Sequence, residues 1–364
     1  MPERAVAHVD LGAVERNCAH LRSLLTGGAE LCAVVKADGY GHGAVWCAKA
    51  ALDGGASSLA VAAAEEAAEL RRNGIVAPVL VMGALTREDA RTALEAEADV
   101  VGWEPDFALT VADLAGRTAA RVHVKLDTGM GRLGTKDLDR AHELVELAAG
   151  DDRLELAGLM THFATADEPD DEHFPAQLEA FRGFVADHPG VPAHAANSAA
   201  TYRDEAAHFD MVRCGVAVYG LDPFQGDPAE RGLEPALSLE SYVGAVKRFG
   251  AGESAGYGRS WRAERDTWVG VLPIGYGDGW RRALSNNGEV LVGGRRYPVV
   301  GTISMDNLTI DLGPDTGVEP GASAVLIGEQ DGERILCEEV ARRLATINYE
   351  VTCGLTQRVR RAAR

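Results

Sequence analysis

The chain has 364 residues, 46% hydrophobic and 25% charged, a composition that excludes disordered, collagenous and coiled-coil classes. At roughly 100 to 200 residues per domain there is room for two domains, one of them a barrel of about 250 residues. Asp and Glu outnumber Lys and Arg 55 to 36, so the net charge of −19 repels phosphate backbones and anionic lipid surfaces, and neither nucleic acid nor membrane is expected as a partner.

The first ten residues lack a basic stretch followed by an apolar one, and no run reaches the ~18 apolar residues of a membrane span. An extra helix follows, with Asp10 as N-cap and Leu11, Val14, Cys18, Leu21 and Leu25 as its apolar stripe. Eight short apolar runs come next: Leu31–Lys36, Ser58–Ala62, Pro78–Met82, Asp99–Gly102, Arg121–Leu126, Leu156–Thr161, Pro192–Ala196 and Gly215–Tyr219. Helix-like stretches lie between them, among them Glu65–Arg72, Arg87–Glu97 behind the N-cap Thr86, and Phe174–Val185. This alternation predicts an α/β fold with a (β/α)8 TIM-type barrel rather than an open doubly wound sheet.

A stretch rich in Gly, Pro and acids, Asp222–Pro235, reads as a linker, giving a barrel domain over 1–235 and a smaller, mostly β domain over 236–364, with pairing to the latter open to the first few residues. Beyond the linker, Leu237–Phe249, Thr267–Ile274, Glu289–Val292, Arg296–Ile303, Leu308–Leu312 and Ala322–Ile327 are strand-like. Gly293-Gly294 fits a tight hairpin, and only Cys337–Ala345 reads as a helix. The six cysteines (Cys18, Cys32, Cys47, Cys214, Cys337, Cys353) show no CxxC pair and no zinc spacing, which predicts a reduced, soluble, cytoplasmic protein without a bound metal.

Barrel enzymes carry their reacting groups at the C-terminal ends of the strands, and here those ends are polar. The first gives Lys36-Ala-Asp-Gly-Tyr40-Gly-His42-Gly43, where glycines allow a tight turn and close approach to a ligand. The fifth gives Lys125-Leu-Asp127-Thr-Gly-Met-Gly-Arg132, the sixth Thr161-His162, the seventh His194-Ala-Ala-Asn197-Ser198, and the eighth runs from Arg213 at its entrance to Tyr219. Lysine is scarce, at five against 31 arginines, yet Lys36 and Lys125 sit at the ends of apolar strands. A desolvated lysine loses basicity and can offer a neutral amine, although a lysine snorkelling from a surface loop would look the same. Together the rim suits an anionic, ring-containing cofactor held by its phosphate beside an amine nucleophile.

Nine blocks in order resemble the alanine racemases, a family of pyridoxal-phosphate (PLP) enzymes. They are Ala33–Gly43, Lys125–Arg132, Thr161–Phe163, His194–Ala200, Val212–Gly220, Gly256-Tyr257-Gly258, Pro273–Gly279, Met305-Asp306 and Ile347–Glu350. The resemblance implies PLP bound covalently to Lys36, which also acts as acid/base on one face of the substrate carbon. Tyr257 is then the opposite-face base, contributed across a head-to-tail homodimer with the active site at the interface. Racemisation needs two such groups, because a planar carbanion loses its proton on one side and regains one on the other. Without the resemblance Gly-Tyr-Gly is a turn with an exposed ring.

Arg213 is expected to face the pyridine nitrogen and keep it unprotonated, with His194 orienting it, while His162 packs on the ring face. Tyr40, Ser198, Tyr349 and the amides of Gly215 and Val216 form the implied phosphate cradle. Arg132 and the backbone of Met305 anchor the carboxylate of a small amino-acid substrate. Lys125 is a position that many members carbamylate, and a carbamate there would hold Arg132; an unmodified lysine pairing with Asp127 is the alternative. Cys214, Asp38 and Thr302 replace a common proline, asparagine and arginine, while Tyr276 and Arg282 keep other positions lining the way in.

The function implied is interconversion of L- and D-alanine for peptidoglycan synthesis. A racemase of another or broader substrate range and a PLP-dependent decarboxylase of the same architecture are the alternatives. The decarboxylase would be expected to lack the Tyr257 base and Met305-Asp306. A non-catalytic PLP carrier would lack the C-terminal β domain, and a scaffold protein would leave Lys36 and Lys125 unexplained.

Overall fold

The structure, a computed structural model, describes residues 3–364; Met1 and Pro2, which open the segment read above for a leader, lie outside the described residues. The chain divides into two compact units, one over Val14–Val218 and one combining the residues up to Ala13 with Tyr219–Arg364. Strand β1 (Val6–Val9) belongs to the latter.

In the first unit, strands β2 (Glu30–Val34), β3 (Ser58–Val61), β4 (Val79–Val81), β5 (Asp99–Gly102), β6 (Ala120–Lys125), β7 (Leu154–Met160), β8 (Ala193–His194) and β9 (Met211–Cys214) close into a parallel barrel. The closing pair is β2 against β9, with Ala33 opposite Cys214. The strands are short and buried on both faces because helices cover the outside, which is why they read as continuous apolar runs. The outer helices start where the local chemistry dictates. Thr86 Oγ1 accepts from the Asp89 amide at 3.2 Å and the Asp89 carboxylate accepts from the Thr86 amide at 3.0 Å, a reciprocal cap for Arg87–Glu95. Asp10 Oδ1 accepts from the Ala13 amide at 3.0 Å at the start of Leu11–Ser23.

The eighth barrel strand differs from the expectation. Gly215–Tyr219 is not a strand; Val216–Tyr219 forms a 3₁₀ turn, and the strand is Met211–Cys214, so Arg213 lies within it near its C-terminal end rather than at an entrance. Val216, Ala217, Val218 and Tyr219 are all buried, and a run apolar on every side cannot be told from a buried strand by its periodicity.

The second unit holds the remaining strands: β10 (Leu237–Tyr242), β11 (Ala245–Phe249), β12 (Ser254–Ala255), β13 (Trp261–Arg262), β14 (Thr267–Leu272), β15 (Glu289–Val292), β16 (Arg295–Pro298), β17 (Leu308–Gly313), β18 (Ser323–Gln330), β19 (Glu333–Ile335) and β20 (Arg360–Ala363). One sheet runs β16-β15-β18-β10-β1-β20, with β19 paired to β18, and another runs β11-β14-β17. Within the larger sheet β1 pairs antiparallel with β10 and parallel with β20. The predicted strand Leu237–Phe249 is two strands broken at Val243-Gly244. Gly293 and Gly294 both have positive φ (56° and 68°) and close the β15–β16 hairpin, as a two-residue turn of this kind requires. A second helix, Asn348–Cys353, lies where none was predicted, because its six residues are too few for a helical period to register. No helix among the described residues is long and apolar enough to cross a membrane.

Candidate active site

Lys36 follows β2 after one residue, Val35, and opens a turn of rare geometry. Ala37, Asp38, Gly39 and Tyr40 all lie in the left-handed region (φ 53°, 52°, 60° and 54°), so the chain makes a short left-handed coil in which only Gly39 is at ease. Each of the other three costs about 1–2 kcal/mol there, so the surroundings must impose the shape. Two carboxylates do so. Glu66 receives the Ala37 amide on one oxygen (2.6 Å) and the Ala62 and Ala63 amides on the other (2.8 and 3.1 Å), tying the lysine's turn to the start of helix Ala64–Arg72. Asp38 Oδ1 accepts the Ala44 amide at 2.9 Å at the head of the next helix. The coil places Lys36 Nζ 6.0 Å from the centre of the buried Tyr40 ring.

The Tyr40 hydroxyl reaches the end of β9. A Cβ placed on Gly215 would collide with it, so any larger residue there would have to displace the tyrosine. Ser198 Oγ accepts from the Gly215 amide at 3.0 Å and from Ala217 at 3.4 Å, and Val216 starts the 3₁₀ turn. Tyr40, Ser198 and Gly215 therefore converge, with Val216 next in the chain, as a cluster of neutral donors at the mouth of the barrel. Cys214 beside them is buried, which pushes its thiol up to about 12 and leaves it inert at neutral pH.

Around this cradle stands a set of cations. Arg213 is 3% exposed; its Nη1 donates to His194 Nδ1 (2.7 Å), and its Nη2 donates to the Thr161 and Ala195 carbonyls (2.9 and 3.0 Å) and to His162 Nδ1 (3.2 Å). Burial lowers its pKa to about 10, and it remains a cation at neutral pH. His162 is held far below the usual histidine range by desolvation and then by Arg213, Lys125, Arg132 and Lys36, so it is neutral. Lys125 is 3% exposed, and desolvation, followed by the charges of Arg213 and Arg132, pulls it down to about 8. Asp127 offsets this only by its field. Its oxygens accept the Gly129 and Gly131 amides at 2.9–3.0 Å, and although burial pushes its pKa up, those amides outweigh burial and keep it ionised. The Asp127 carboxylate thus shapes the glycine loop leading to the exposed Arg132.

The sequence reading missed two residues that hold this rim. Glu66 carries a weak signal, as the third helical residue of a capping pattern. Gln177, 1% exposed on helix His173–Ala186, donates to the His162 carbonyl (3.2 Å) and Thr128 Oγ1 (3.3 Å) and accepts the Ala164 amide (2.8 Å), locking the strand end that carries His162. Nothing in its sequence context marks it.

Tyr257, Met305 and Tyr349 belong to the other unit. Tyr257 is 73% exposed in a turn between Gly256 and Gly258, both at positive φ. The turn is braced from Thr302, whose hydroxyl donates to the Tyr257 carbonyl at 2.8 Å; Ser260 and Asn286 continue the chain behind it. Thr302 therefore positions the tyrosine where an arginine is common in the resembled family. The Met305 carbonyl accepts the Gly277 amide at 2.9 Å, fixing that turn. Tyr349 follows Asn348, which is held on every side: its Nδ2 donates to Glu338 Oε1 (2.8 Å) and the Asp222 carbonyl (2.9 Å), and its amide donates to Gln225 Oε1 (2.9 Å). Burial, with Asp222 nearby, raises the pKa of Glu338.

Comparison with known proteins gives this arrangement its context. Residues 9–223 match the family description "Alanine racemase, N-terminal domain" and residues 236–363 "Alanine racemase, C-terminal domain". The chain belongs to the alanine racemase family. It is similar to alanine racemase 1 of Bacillus subtilis (40% identity, 98% of this chain and 92% of that one) and to the alanine racemase of Geobacillus stearothermophilus (43%, 98% and 92%). Among solved structures it is similar to the alanine racemase of D-cycloserine-producing Streptomyces lavendulae (37% identity, TM-score 0.95, 100% of this chain and 98% of that one). It is likewise similar to that of Bacillus anthracis with bound L-Ala-P (37%, TM-score 0.91, 100% and 96%).

The family is PLP-dependent, and the barrel residues fit that group. The cradle, too tight for any Cβ at Gly215, offers neutral donors to a phosphate, while the cations and the neutral His162 surround the volume beyond it. Gly215→Ala should leave the fold intact but drive the new methyl into the Tyr40 hydroxyl, and equilibrium titration of the apo-protein should then show PLP affinity falling at least tenfold while pyridoxal affinity changes little. Glu66→Gln leaves one acceptor where two sets of amides need one each. An unmet amide costs about 1–3 kcal/mol, so cofactor reconstitution followed by absorbance should weaken about tenfold or more; unchanged reconstitution would show that the coil holds its shape without Glu66.

Proposed function

We propose that the chain interconverts L- and D-alanine with Lys36 and Tyr257 as its two acid/base groups, working as a cytoplasmic homodimer that supplies D-alanine for peptidoglycan. The observation that carries the reading is the meeting of Lys36, Lys125, Arg132, Arg213 and His162 at one barrel mouth beside a neutral phosphate cradle. PLP, when bound, supplies an electron sink that makes the substrate's Cα–H acidic. The protein's part is to hold and move protons. Lys36 Nζ takes or returns the Cα proton on one face, and the Tyr257 hydroxyl does so on the other. Arg213, a cation whose donors already face His194, His162 and two carbonyls, presents N–H rather than a carboxylate toward the pyridine nitrogen, which limits how far the sink can store charge. Arg132 and the Met305 backbone take the substrate carboxylate, and Tyr349 joins Tyr40, Ser198, Gly215 and Val216 on the phosphate.

The dimer is supported by exposure. Tyr257, Tyr276, Met305 and Ile347 are large apolar side chains exposed on the second unit, and all four fall in the blocks that carry the family resemblance. Apolar side chains exposed together in this way mark a surface that a partner takes out of water. Thr302 gives a second reading some weight: a small hydroxyl in place of an arginine removes a cation and opens space beside Tyr257, which favours a substrate range wider than alanine.

Incubation with L-alanine and a chiral assay should show D-alanine forming. Lys36→Ala should abolish it, and borohydride reduction followed by peptide mapping should place the pyridoxyl group on Lys36 in the wild type. Tyr257→Phe should slow exchange in deuterated water at least a hundredfold for the enantiomer whose proton faces the tyrosine and far less for the other; equal losses would remove its assigned role. Parallel assays with L-serine measure the range.

Lys125 bears on the electrostatics. With a pKa of about 8 it is neutral in about a tenth of molecules at pH 7, roughly two- to threehundredfold more than an ordinary lysine, and a neutral amine is the form that adds to CO₂ with loss of a proton. The resulting carbamate turns a cation beside Arg132 into an anion. ¹³C NMR in labelled bicarbonate should show a carbamate signal in the wild type that Lys125→Arg lacks; a signal surviving in that variant would assign it elsewhere.

A further inference from the structure

Arg213 is the end of a longer series of buried groups. His194 on β8 accepts from Arg213 at Nδ1, and its Nε2 lies 2.8 Å from Nδ1 of His123 on β6. His123 Nε2 in turn lies 3.1 Å from Asp99 Oδ2 at the start of β5, and the second Asp99 oxygen accepts Arg121 Nε at 2.9 Å. His123 and His194 are 6% and 1% exposed, their rings edge to face at 5.0 Å. Room for the contact is made by Gly158 on β7, where a Cβ would stand 2.7 Å from His123 Nδ1. The series therefore crosses the barrel interior from the C-terminal rim to the opposite end, where the Arg121 side chain is about half exposed and also pairs with Glu155.

The proton positions along it are determined. Burial and the adjacent Arg213 hold His194 far below the usual histidine range, so it is neutral. An arginine can only donate, so His194 Nδ1 is the acceptor and its single proton sits on Nε2. That proton is donated to His123 Nδ1, which leaves the His123 proton on Nε2, pointing at the Asp99 carboxylate. Each group has one arrangement that satisfies its neighbours. Reversing it would set an N–H of His194 against an N–H of Arg213 at 2.7 Å.

We propose that Asp99 and His123 are positioning residues for the reaction, fixing through His194 the tautomer that accepts from Arg213 and so the orientation of the guanidinium at the cofactor. The proposal rests on the reading that Arg213 faces the pyridine nitrogen. Asp99→Asn supplies the decisive conflict. An asparagine has one acceptor oxygen, and both Arg121 Nε–H and His123 Nε2–H need it. The charged arginine keeps it, the amide N–H then faces His123, and both imidazoles reverse. Removing the competitor in D99N/R121A lets the asparagine oxygen turn back to His123.

The test is ¹⁵N NMR of histidine-labelled holoenzyme together with kcat/KM in both directions. The wild type should show His123 and His194 as neutral Nε2–H tautomers at neutral pH. D99N should shift both to Nδ1–H and lower kcat/KM about tenfold to hundredfold, and D99N/R121A should restore both readouts. Nδ1–H or doubly protonated rings in the wild type overturn the proposal without any variant having to fold, as does a D99N protein with unchanged tautomers. Tautomers that switch while kinetics stay unchanged in both directions uphold the hydrogen-bond series and overturn the placing of Arg213 at the cofactor, so the two failures are distinguishable.

Discussion

A guanidinium sealed inside a barrel sets the terms for everything around it. Arg213 is deprived of water and has no carboxylate of its own, which is why its pKa falls to about 10. Its donors must still be met, and they are met by two carbonyls and two imidazoles, all neutral. Burial, and after it the field of Arg213, makes His162 and His194 neutral and pulls Lys125 down. A rim with several cations and few compensating anions is unstable by construction. It is the environment in which a bound phosphate, a substrate carboxylate and a carbamate would each find opposite charge waiting.

Holding such a rim together takes rigid supports, and they are carboxylates and amides set one layer back. Asp127 organises the glycine loop before Arg132, Glu66 and Asp38 clamp the left-handed coil after Lys36, and Gln177 fixes the strand end at His162. Each anion is directed at backbone N–H groups or side-chain amides, not at the cations of the rim. That division keeps the positive potential in place while letting the loops be stiff. It also explains how three non-glycine residues persist at positive φ beside Lys36: the strain is local, and the partners that hold it, the Glu66 carboxylate and the Ala44 amide, lie outside the coil.

What the sequence disclosed follows from the same physics. Seven of the barrel strands were legible because strands covered by helices are apolar throughout and end in polar groups. The eighth was displaced because Val216–Tyr219 is equally apolar yet forms a 3₁₀ turn, and the helix carrying Tyr349 was too short to show a period. The chemical groups at strand ends were legible for the same reason: a lysine or histidine closing an apolar run is conspicuous. Glu66, Gln177, Asp99 and His123 were not, since a supporting residue is ordinary in its own segment and gains its role only from the partner that folding brings to it. Asp99 and His123 lie 24 positions apart, and His123 and His194 lie 71 apart.

The distribution of lysine follows from the chemistry of the amine. An aldehyde and CO₂ both add to a neutral amine and ignore an ammonium, so a protein that needs one lysine attacked, or two, benefits if every other lysine stays charged or is replaced. Of the five lysines here, Lys49, Lys136 and Lys247 are exposed, where water keeps the ammonium form, while Lys125 is buried and Lys36 is half-buried at the rim. The remaining surface cations are arginines, whose guanidinium is protonated at any physiological pH and whose delocalised nitrogens are poor nucleophiles. Burial thus does twofold work. It lowers the basicity of Lys125, and it sets that amine and Lys36 at one mouth beside the guanidinium groups of Arg213 and Arg132.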